Sequence, residues 1–255
     1  MGMKANSSHE TIDRSWRVWQ HSAVAQRYTE ERSAALPEVH TQDEVMLRLI
    51  PYPVEKPISV ADLGCGGGRL LELVLGAYPN AIGVGVDGSP AMLKVARQQL
   101  AQYQERVQFI ETDLSQPDWL QILHKQSYHV IVSGYAVHHL DDTAKRRIYE
   151  AVFDILKPGG IFIHAEHVAS LSSRGEELFE RAYAARLAAF RQEKGQSADF
   201  SEVYDELSGR PDKAANRLIP LERQMQWLRE IGFVDVDCFW KFFELAIFAG
   251  SRPYE

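Results

Sequence analysis

Short apolar runs alternate with longer segments of helical periodicity from residue 58 onward, and no other feature of the chain restricts its fold as strongly. The runs typical of strands cover residues 58–62, 81–86, 107–111, 128–133 and 160–165. The helical segments between them cover residues 69–77, 90–103, 119–125 and 143–156. Strands joined by crossover helices pair in parallel, because each helix returns the chain to the same end of the sheet. We therefore predict a doubly wound α/β fold.

The end of the chain departs from this alternation. "GFVDVDCFW" and "FFELAIFAG" read as two strands with only Lys241 between them, which leaves room for a hairpin and none for a crossover. The prediction is therefore a mostly parallel, seven-stranded sheet with an antiparallel C-terminal hairpin strand.

Two helical segments lie outside this pattern. Residues 1–57 are predicted to be an N-terminal helical segment, and residues 58–252 the main domain, interrupted by a helical insertion at about 172–231 that lacks any strand signal. Both are expected to fold over the carboxyl edge of the sheet, where open α/β folds bind ligands. Their lengths fit a substrate lid and extra cover for the core equally well.

Composition excludes several classes of protein. The 255 residues are 45% hydrophobic and 25% charged, which is typical of a globular domain, and the net charge of −7 gives no general attraction to nucleic acid or anionic lipid. Cys65 and Cys238 are too few for a disulfide framework, and the nine histidines show no metal-ligand spacing. The chain has no signal-peptide pattern and no long apolar run. We expect a cytoplasmic protein with a small-molecule partner, no metal, and no direct contact with nucleic acid or membrane.

A glycine cluster, "VADLGCGGG", joins the first strand to the first helix. Its glycines permit a tight turn close to a ligand, and the helix that follows offers free N–H groups to an anion. A dinucleotide-binding loop has its last glycine where this chain has Arg69, and Asp62 lies just inside the strand. These two residues weaken the alternative of a nicotinamide-dependent dehydrogenase.

Further acidic residues follow the next two strands. Asp87 lies about 20 residues beyond the glycine cluster, where a carboxylate can accept hydrogen bonds from both hydroxyls of an adenosine ribose. In "FIETDLSQ", Asp113 can bond an adenine amino group and Leu114 can pack on the ring, while Met92 can cover its other face.

Together with the terminal hairpin, these residues resemble the class I S-adenosylmethionine-dependent methyltransferases from about residue 58 to residue 252. The resemblance implies S-adenosyl-L-methionine as cofactor and S-adenosyl-L-homocysteine as product. It also implies that residues 62–68 hold the methionine part and that Ser133 faces the sulfonium and amino-acid end. The predicted cofactor-binding residues are Asp62, Gly64, Cys65, Gly66, Gly68, Asp87, Gly88, Met92, Asp113, Leu114 and Ser133.

Methyl transfer needs an aligned nucleophile and exclusion of water, with no obligatory metal or covalent intermediate. Candidate bases occur in "SGYAVHHLDD" and "HAEHV", at the ends of the fourth and fifth strands. His138, Glu166 and His167 are the catalytic candidates, with Glu166 favoured as a polar wall of the pocket. Strand alternation puts His164 and Glu166 on one face.

The stretches "YTEERSAALPEVHTQ", "DGSPAML" and "WLREIGFVDVDCFWKFFELAIFAGSR" also resemble the carboxy-S-adenosylmethionine synthases of transfer-RNA wobble-uridine modification. That resemblance implies conversion of S-adenosylmethionine and prephenate into a carboxylated cofactor. The chain departs from the pattern at Val39, where that family has a tyrosine, and at Ser133, where it has an asparagine. Neither Arg210 nor Arg217 matches uniquely the arginine that grips the added carboxylate there.

Three functions remain open at this point. The sequence favours a methyltransferase that acts on a small molecule, over the carboxylated-cofactor synthase and over a non-catalytic S-adenosylmethionine-binding protein. The predicted substrate-binding residues are Trp16, Tyr28, Tyr135, Arg210 and Arg217.

Overall fold

Seven strands form one sheet in the computed structural model, which describes residues 16–20, 36–117, 119, 122–209, 213 and 215–254. The strands are β1 (Ser59–Leu63), β2 (Ile82–Asp87), β3 (Val107–Glu111), β4 (Tyr128–Gly134), β5 (Leu156–His167), β6 (Val234–Phe242) and β7 (Leu245–Ser251). The helices are α1 (Val39–Arg48), α2 (Arg69–Ala77), α3 (Pro90–Gln99), α4 (Asp142–Ile155), α5 (Ser173–Glu193), α6 (Phe200–Ser208) and α7 (Leu221–Ile231). Short 3-10 helices cover Trp16–Gln20, Ala101–Tyr103 and Val137–His139.

The strand order is β3-β2-β1-β4-β5-β7-β6. The first five strands pair in parallel, and β7 runs antiparallel to both β5 and β6. This arrangement confirms the predicted fold class, including the antiparallel strand of the C-terminal hairpin. The order reverses between β1 and β4, so the loops that follow these two strands leave the sheet in opposite directions and open a crevice at its carboxyl edge.

Apolar side chains cover both faces of the sheet, and neighbouring residues of one strand belong to different cores. Val60 of β1 and Val130 of β4 pack with α1 and α2, whereas Ala61 and Ile131 pack with α4 and α7. Side chains alternate between the two faces of a strand, so a strand buried on both faces is apolar throughout. This explains the continuous apolar runs in the sequence.

Polar side chains begin three of the helices at the carboxyl edge. Ser89 accepts a hydrogen bond from the Met92 N–H at 3.2 Å before α3, and Asp141 accepts one from the Ala144 N–H at 2.8 Å before α4. The Ser172 hydroxyl serves α5 in the same way. Such caps satisfy N–H groups that have no partner in the first turn of a helix. The caps also fix the residue at which each helix begins.

Two local predictions were wrong. Residues 122–125 form turns and a bend, although a helix was predicted over 119–125. The side chains of Trp119 and Leu123 are buried in the core beneath α4, so their spacing reflects a hydrophobic anchor in a short connection. The hairpin turn lies at Phe243 and Glu244, with Lys241 inside β6.

The region predicted as a helical insertion packs in two parts. Helices α5 and α6 pack on each other through a small cluster that includes Ala184, Leu187 and Val203. In contrast, Trp227 and Leu228 of α7 are buried in the core formed by α4 and the sheet. Helix α7 therefore belongs to the layer that covers the sheet, and the part of the insertion outside that layer ends before residue 221.

None of the helices in the described part of the chain combines the length and the apolar character needed to cross a membrane.

The placement of α7 leads to a test by unfolding. Leu228 is fully buried, so Leu228→Ala should lower the free energy of unfolding by about 2–5 kcal/mol through lost burial and a cavity. Leu178→Ala on α5 is the control, because that side chain is 37% exposed and its loss should change stability by less than about 1 kcal/mol. Urea unfolding of both variants measures the difference. Equal and small losses would show that α7 is not part of the core.

Candidate active site

A deep cleft opens at the carboxyl edge of the sheet, where the strand order reverses between β1 and β4. Its free volume is about 1040 Å³, including the part open to solvent. The residues around it come from the loops after β1, β2, β3 and β4 and from the N-terminal segment. They are Trp19, Leu36, Asp62, Gly64, Cys65, Gly66, Gly67, Arg69, Leu70, Asp87, Gly88, Met92, Asp113, Leu114, Gly134, Tyr135, Ala136, Val137, His139 and Leu140.

The glycine cluster forms the floor of the cleft in a conformation that other residues rarely adopt. Gly64 has φ +70°, and a Cβ at this position would overlap the Cβ of Ala136 in the loop after β4. Gly68 has φ +87° and caps the start of α2, where a Cβ would meet Leu100. Glycine is thus required here both for left-handed backbone and for close packing of two loops.

Asp62 lies at the base of the cleft as a buried carboxyl without a hydrogen-bond partner among the described residues. Burial and the nearby charge of Asp87 raise its pKa to about 8, and the charge of Arg69 and a weaker contact with the Leu71 N–H oppose this shift. Arg69 also forms an ion pair with Asp43 of α1. A buried polar group is stable when it has a partner, so Asp62 is suited to receive a cationic donor from a ligand.

Asp87 joins two loops at the edge of the cleft. Its Oδ2 accepts a hydrogen bond from the Gly66 N–H and its Oδ1 accepts one from the Ser89 N–H, both at 2.8 Å. Burial raises the pKa of Asp87, and the hydrogen bonds from Ser89, Gly66 and Gly88 oppose that rise. Each carboxylate oxygen can accept a second bond. Asp87 is therefore held in place and can still receive two ligand hydroxyls.

The loop after β3 and helix α3 form another wall of the cleft. Asp113 accepts a hydrogen bond from the Ser115 N–H at 2.8 Å, which holds its carboxylate beside Leu114. Met92 of α3 is buried and also lines the cleft, and its methyl group would lie 3.0 Å from a Cβ at Gly66. An acceptor group together with apolar side chains in one cleft is an arrangement that can bind a flat heterocycle with an exocyclic amine.

The N-terminal segment covers the cleft. The indole Nε1 of Trp19 donates to His139 Nε2 at 3.0 Å, and the Trp19 carbonyl accepts a bond from the Ser89 hydroxyl at 2.7 Å. The Tyr135 hydroxyl donates to Gln42 of α1 at 2.7 Å. Tyr135 has φ +53°, an unusual conformation for a residue with a side chain. The Trp19–His139 and Gln42–Tyr135 bonds cross from the N-terminal segment to the loop after β4, so the described residues of this segment are part of the site.

A chain of buried polar groups lies behind the cleft. Glu166 Oε1 is 2.6 Å from His138 Nδ1 and its Oε2 is 3.1 Å from His164 Nε2. The Tyr149 hydroxyl lies 3.3 Å from His164 Nδ1. The same hydroxyl donates a hydrogen bond to the side-chain oxygen of Gln224 on α7 at 2.5 Å. Burial disfavours the charged form of Glu166, but His138 and His164 more than offset it and hold its pKa well below the usual range. Glu166 thus orients His138 as an ionised carboxylate.

A second cavity lies on the other side of the histidines, beneath the insertion. His167, at the end of β5, lines it together with Glu244, and His167 Nε2 is 2.9 Å from Glu244 Oε2. Burial lowers the pKa of His167, and its hydrogen bond with Glu244 opposes this shift. The ring is therefore neutral near pH 7 and donates to the carboxylate.

The structure brings together most of the predicted cofactor-binding residues. Asp62, Gly64, Cys65, Gly66, Asp87, Gly88, Met92, Asp113 and Leu114 all line the cleft. Gly68 acts through backbone conformation alone, as described above. Ser133 was expected to face the cofactor, but it is fully buried and its hydroxyl donates to the Leu63 carbonyl at 2.7 Å. Gly134 and Tyr135, the next two residues, line the cleft in its place.

The predicted catalytic and substrate residues are more scattered. Tyr135 lies in the cleft, His138 and Glu166 lie behind it, and His167 lines the second cavity. The Arg217 side chain is exposed and lines neither cavity, although its N–H donates to the His138 carbonyl at 2.8 Å. Tyr28, Arg210 and the side chain of Trp16 lie outside the described residues.

Sequence reasoning gave no role in the cleft to Trp19, and it named His139 only as one of several candidate bases. Trp19 was visible only as one of the aromatic residues of the N-terminal segment, and no spacing rule connects it to a loop 120 residues away. His139 is adjacent to His138, and both are buried. Only the path of the short 3-10 helix that contains them decides which ring faces the cleft.

Comparisons with known proteins agree with this geometry. A family model described as "Methyltransferase domain" matches residues 60–160. Over 199 residues the chain is 30% identical to the carboxy-S-adenosyl-L-methionine synthase of Wolinella succinogenes, covering 76% of this chain and 75% of that protein. It is 31% identical over 139 residues to the trans-aconitate 2-methyltransferase of Variovorax paradoxus, covering 54% of this chain and 46% of that protein.

A solved structure shows the same fold. Phosphoethanolamine N-methyltransferase 2 of Haemonchus contortus, in complex with S-adenosyl-L-methionine, is similar with a TM-score of 0.62 at 16% sequence identity. The similarity covers 94% of this chain and 60% of that chain.

The raised pKa of Asp62 predicts how Asp62→Asn changes stability with pH. An unfolded aspartate ionises near pH 3.9, whereas Asp62 in the folded protein ionises at about 8. Between these values the folded state holds a proton that the unfolded state has lost, so this carboxyl lowers stability increasingly as the pH rises. Asp62→Asn should therefore raise the free energy of unfolding by an amount that grows from pH 5 to pH 8, reaching on the order of a few kcal/mol.

Urea unfolding at pH 5, 6.5 and 8 measures this effect. Asp154→Asn is the control, because its side chain is 52% exposed on the surface. A stability difference for Asp62→Asn that does not change with pH would contradict the assignment.

Proposed function

Because the chain belongs to the class I S-adenosylmethionine-dependent methyltransferases, we propose that it transfers a methyl group to a small-molecule acceptor enclosed between the cleft, the N-terminal segment and the insertion. The cofactor of the family is S-adenosyl-L-methionine, and S-adenosyl-L-homocysteine is the product of methyl transfer. Within the family, the chain is similar to the carboxy-S-adenosyl-L-methionine synthases.

The observation that carries the assignment of the cleft is the unpartnered carboxyl of Asp62. The methionine part of the cofactor carries an ammonium group, and a buried carboxylate beside a glycine turn is a suitable acceptor for it. Binding of a cation there would favour the ionised form of Asp62. The charge that destabilises the protein alone would then stabilise the complex.

The other residues of the cleft fit the remaining parts of the cofactor. Asp87 has free acceptor capacity for the two ribose hydroxyls, and Asp113 lies beside Leu114 for the adenine, with Met92 opposite. In this proposal, the loops after β1, β2 and β3 hold the methionine part, the ribose and the adenine in turn. These roles are part of the proposal.

The bound cofactor supplies an activated methyl group on a sulfonium. The protein's contribution is to align the acceptor and to exclude water, and the N-terminal segment is suited to both tasks. Trp19 and Tyr135 connect that segment to the loop after β4, and Leu36 adds an apolar surface at the cleft. An opening and closing of this cover would admit the acceptor.

Glu166 has the environment of a positioning residue. It is buried, ionised and bonded to His138, whose ring packs on His139 at a centroid distance of 4.0 Å. His139 lines the cleft, and burial lowers its pKa well below the usual value, so its ring is neutral. We infer that Glu166 sets the orientation of both histidines and carries no proton itself during the reaction.

Substitution of Asp87 tests the cofactor site. Asp87→Ala should weaken the binding of S-adenosyl-L-homocysteine by about a hundredfold, because two hydrogen bonds from ribose hydroxyls to a charged group are lost. Isothermal titration calorimetry measures this without any need to know the acceptor. Glu111→Ala is the matched control, since Glu111 pairs with Asp87 in the sheet register but is exposed and lies outside the cleft. Unchanged affinity in a folded Asp87→Ala variant would refute this use of the cleft.

Synthesis of a carboxylated cofactor is the second candidate, and the similarity to the Wolinella succinogenes protein favours it. The departures at Val39 and Ser133 speak against it. The Arg217 side chain is exposed, so it is not placed to bind an added carboxylate. A site that binds a carboxylate tightly would use a buried arginine.

Native mass spectrometry separates the two candidates. Protein purified from cells that contain prephenate should retain S-adenosyl-L-methionine or S-adenosyl-L-homocysteine if it is an ordinary methyltransferase. A retained ligand heavier than S-adenosyl-L-methionine by one carbon dioxide would instead establish the synthase. Screening metabolite pools with cofactor labelled in the methyl group then identifies the acceptor, and the absence of any labelled product would favour a non-catalytic binding protein.

A further inference from the structure

The second cavity lies between the insertion and the carboxyl end of β5, apart from the cofactor cleft. Its free volume is about 790 Å³, including the part open to solvent. Helices α5 and α6 form its roof, and the hairpin turn after β6 forms part of its floor. The described residues around it are His167, Glu176, Phe179, Glu180, Tyr183, Tyr204, Leu207, Ser208, Lys213, Asn216, Leu218 and Glu244.

The floor of this cavity carries a buried negative charge. The side chain of Glu244 is only 4% exposed, and it accepts a hydrogen bond from the neutral ring of His167. Burial disfavours the charged form of Glu244, but hydrogen bonds from His167 and Ser170 more than offset it and lower its pKa. Glu244 is therefore ionised, and its nearest partner carries no opposite charge. Buried charges in proteins are normally paired with a counter-charge, from the protein or from a ligand.

The remaining charges at the cavity add to the excess of carboxylates. Glu180 forms an ion pair with Lys213, so these two side chains cancel. Glu176 lies at the rim, and no ion pair is present for it among the described residues. Among the described residues around the cavity, three carboxylates thus face one lysine, which is an excess of negative charge.

Aromatic rings form the walls above the buried carboxylate. Phe179 packs against His167 with a centroid distance of 5.2 Å and against Tyr183 at 6.1 Å, and Tyr204 enters from α6. The face of an aromatic ring attracts a cation, and more strongly where water is excluded. A carboxylate beneath several rings is the arrangement by which proteins bind organic ammonium groups.

The second cavity is adjacent to the cofactor cleft. His139 lines the cleft, and its ring packs on the ring of His138. The centroid of the His138 ring is 5.5 Å from that of the His167 ring, and His167 lines the second cavity. Three histidine rings therefore form the partition between the two spaces.

We propose that the second cavity binds an organic ammonium group of the methyl acceptor, with Glu244 as its counter-charge and Phe179, Tyr183 and Tyr204 as its aromatic walls. This inference rests on the proposed function, since it names the substrate class of the same enzyme. It disfavours polycarboxylate acceptors, because an anion would meet the uncompensated charge of Glu244.

Tetramethylammonium chloride is the probe, because it has the required charge and cannot accept a methyl group. Calorimetry on the full chain saturated with S-adenosyl-L-homocysteine should show millimolar binding of this ion, above any effect of sodium chloride at the same ionic strength. Glu244→Gln should weaken that binding at least tenfold by removing the counter-charge, and Tyr204→Leu by about threefold to tenfold. Glu177→Gln is the control, because Glu177 is on α5, is exposed and pairs with Arg174 outside the cavity.

The possible results separate the inference from the proposed function. Binding that is lost in Glu244→Gln and retained in Glu177→Gln supports the inference, and Tyr204→Leu decides it if Glu244→Gln does not fold. The inference is overturned if the wild-type protein binds tetramethylammonium no better than sodium, if both glutamate variants weaken it equally, or if succinate binds in its place. Failure of S-adenosyl-L-homocysteine to bind would count against the proposed function alone. Tetramethylammonium is then titrated into the protein in the absence of S-adenosyl-L-homocysteine, so that the inference is still tested.

Discussion

The parallel pairing of β1 with β4 is the constraint on which the rest of the site depends. Val60, Ala61 and Asp62 of β1 are in register with Val130, Ile131 and Val132 of β4. Their continuing loops diverge from the same edge of the sheet because their helices cover opposite faces. The divergence leaves a crevice that no secondary structure fills. The cofactor cleft, its N-terminal cover and the histidine partition all lie around it.

Buried carboxylates collect at this edge, and each is stabilised differently. Asp87 receives backbone N–H groups from two loops, Glu166 lies between two histidines, and Glu244 is bonded to His167. Asp62 has no partner among the described residues. Asp87 and Glu166 are thus held by groups of the protein, and Asp87 keeps acceptor capacity for further donors. Under the two proposals made above, Asp62 receives the ammonium group of the cofactor and Glu244 receives that of the acceptor.

The sequence-based predictions agree with the structure where they depend on residues close together in the chain. They fail where contacts between distant segments decide the result. The glycine turn, Asp87 and Asp113 line one cleft as the sequence suggested, because each follows a strand within a few positions and the carboxyl ends of parallel strands share one edge. Ser133 was misplaced by one residue, since a one-residue step along a strand turns a side chain to the opposite face. Helix α7 was assigned to the insertion because its amphipathic pattern does not reveal which partner buries its apolar side.

The sequence by itself determined the order of strands and helices along the chain, the antiparallel hairpin and the loops that line the cleft, because these depend on periodicity and on residues close together in the chain. The tertiary structure decided which of two adjacent histidines faces the cleft, how Trp19 covers it, and which carboxylates remain without a counter-charge. These features depend on contacts between segments far apart in the sequence, such as the 120 residues between Trp19 and His139. No local pattern encodes such contacts, since they exist only after the sheet has brought its loops together.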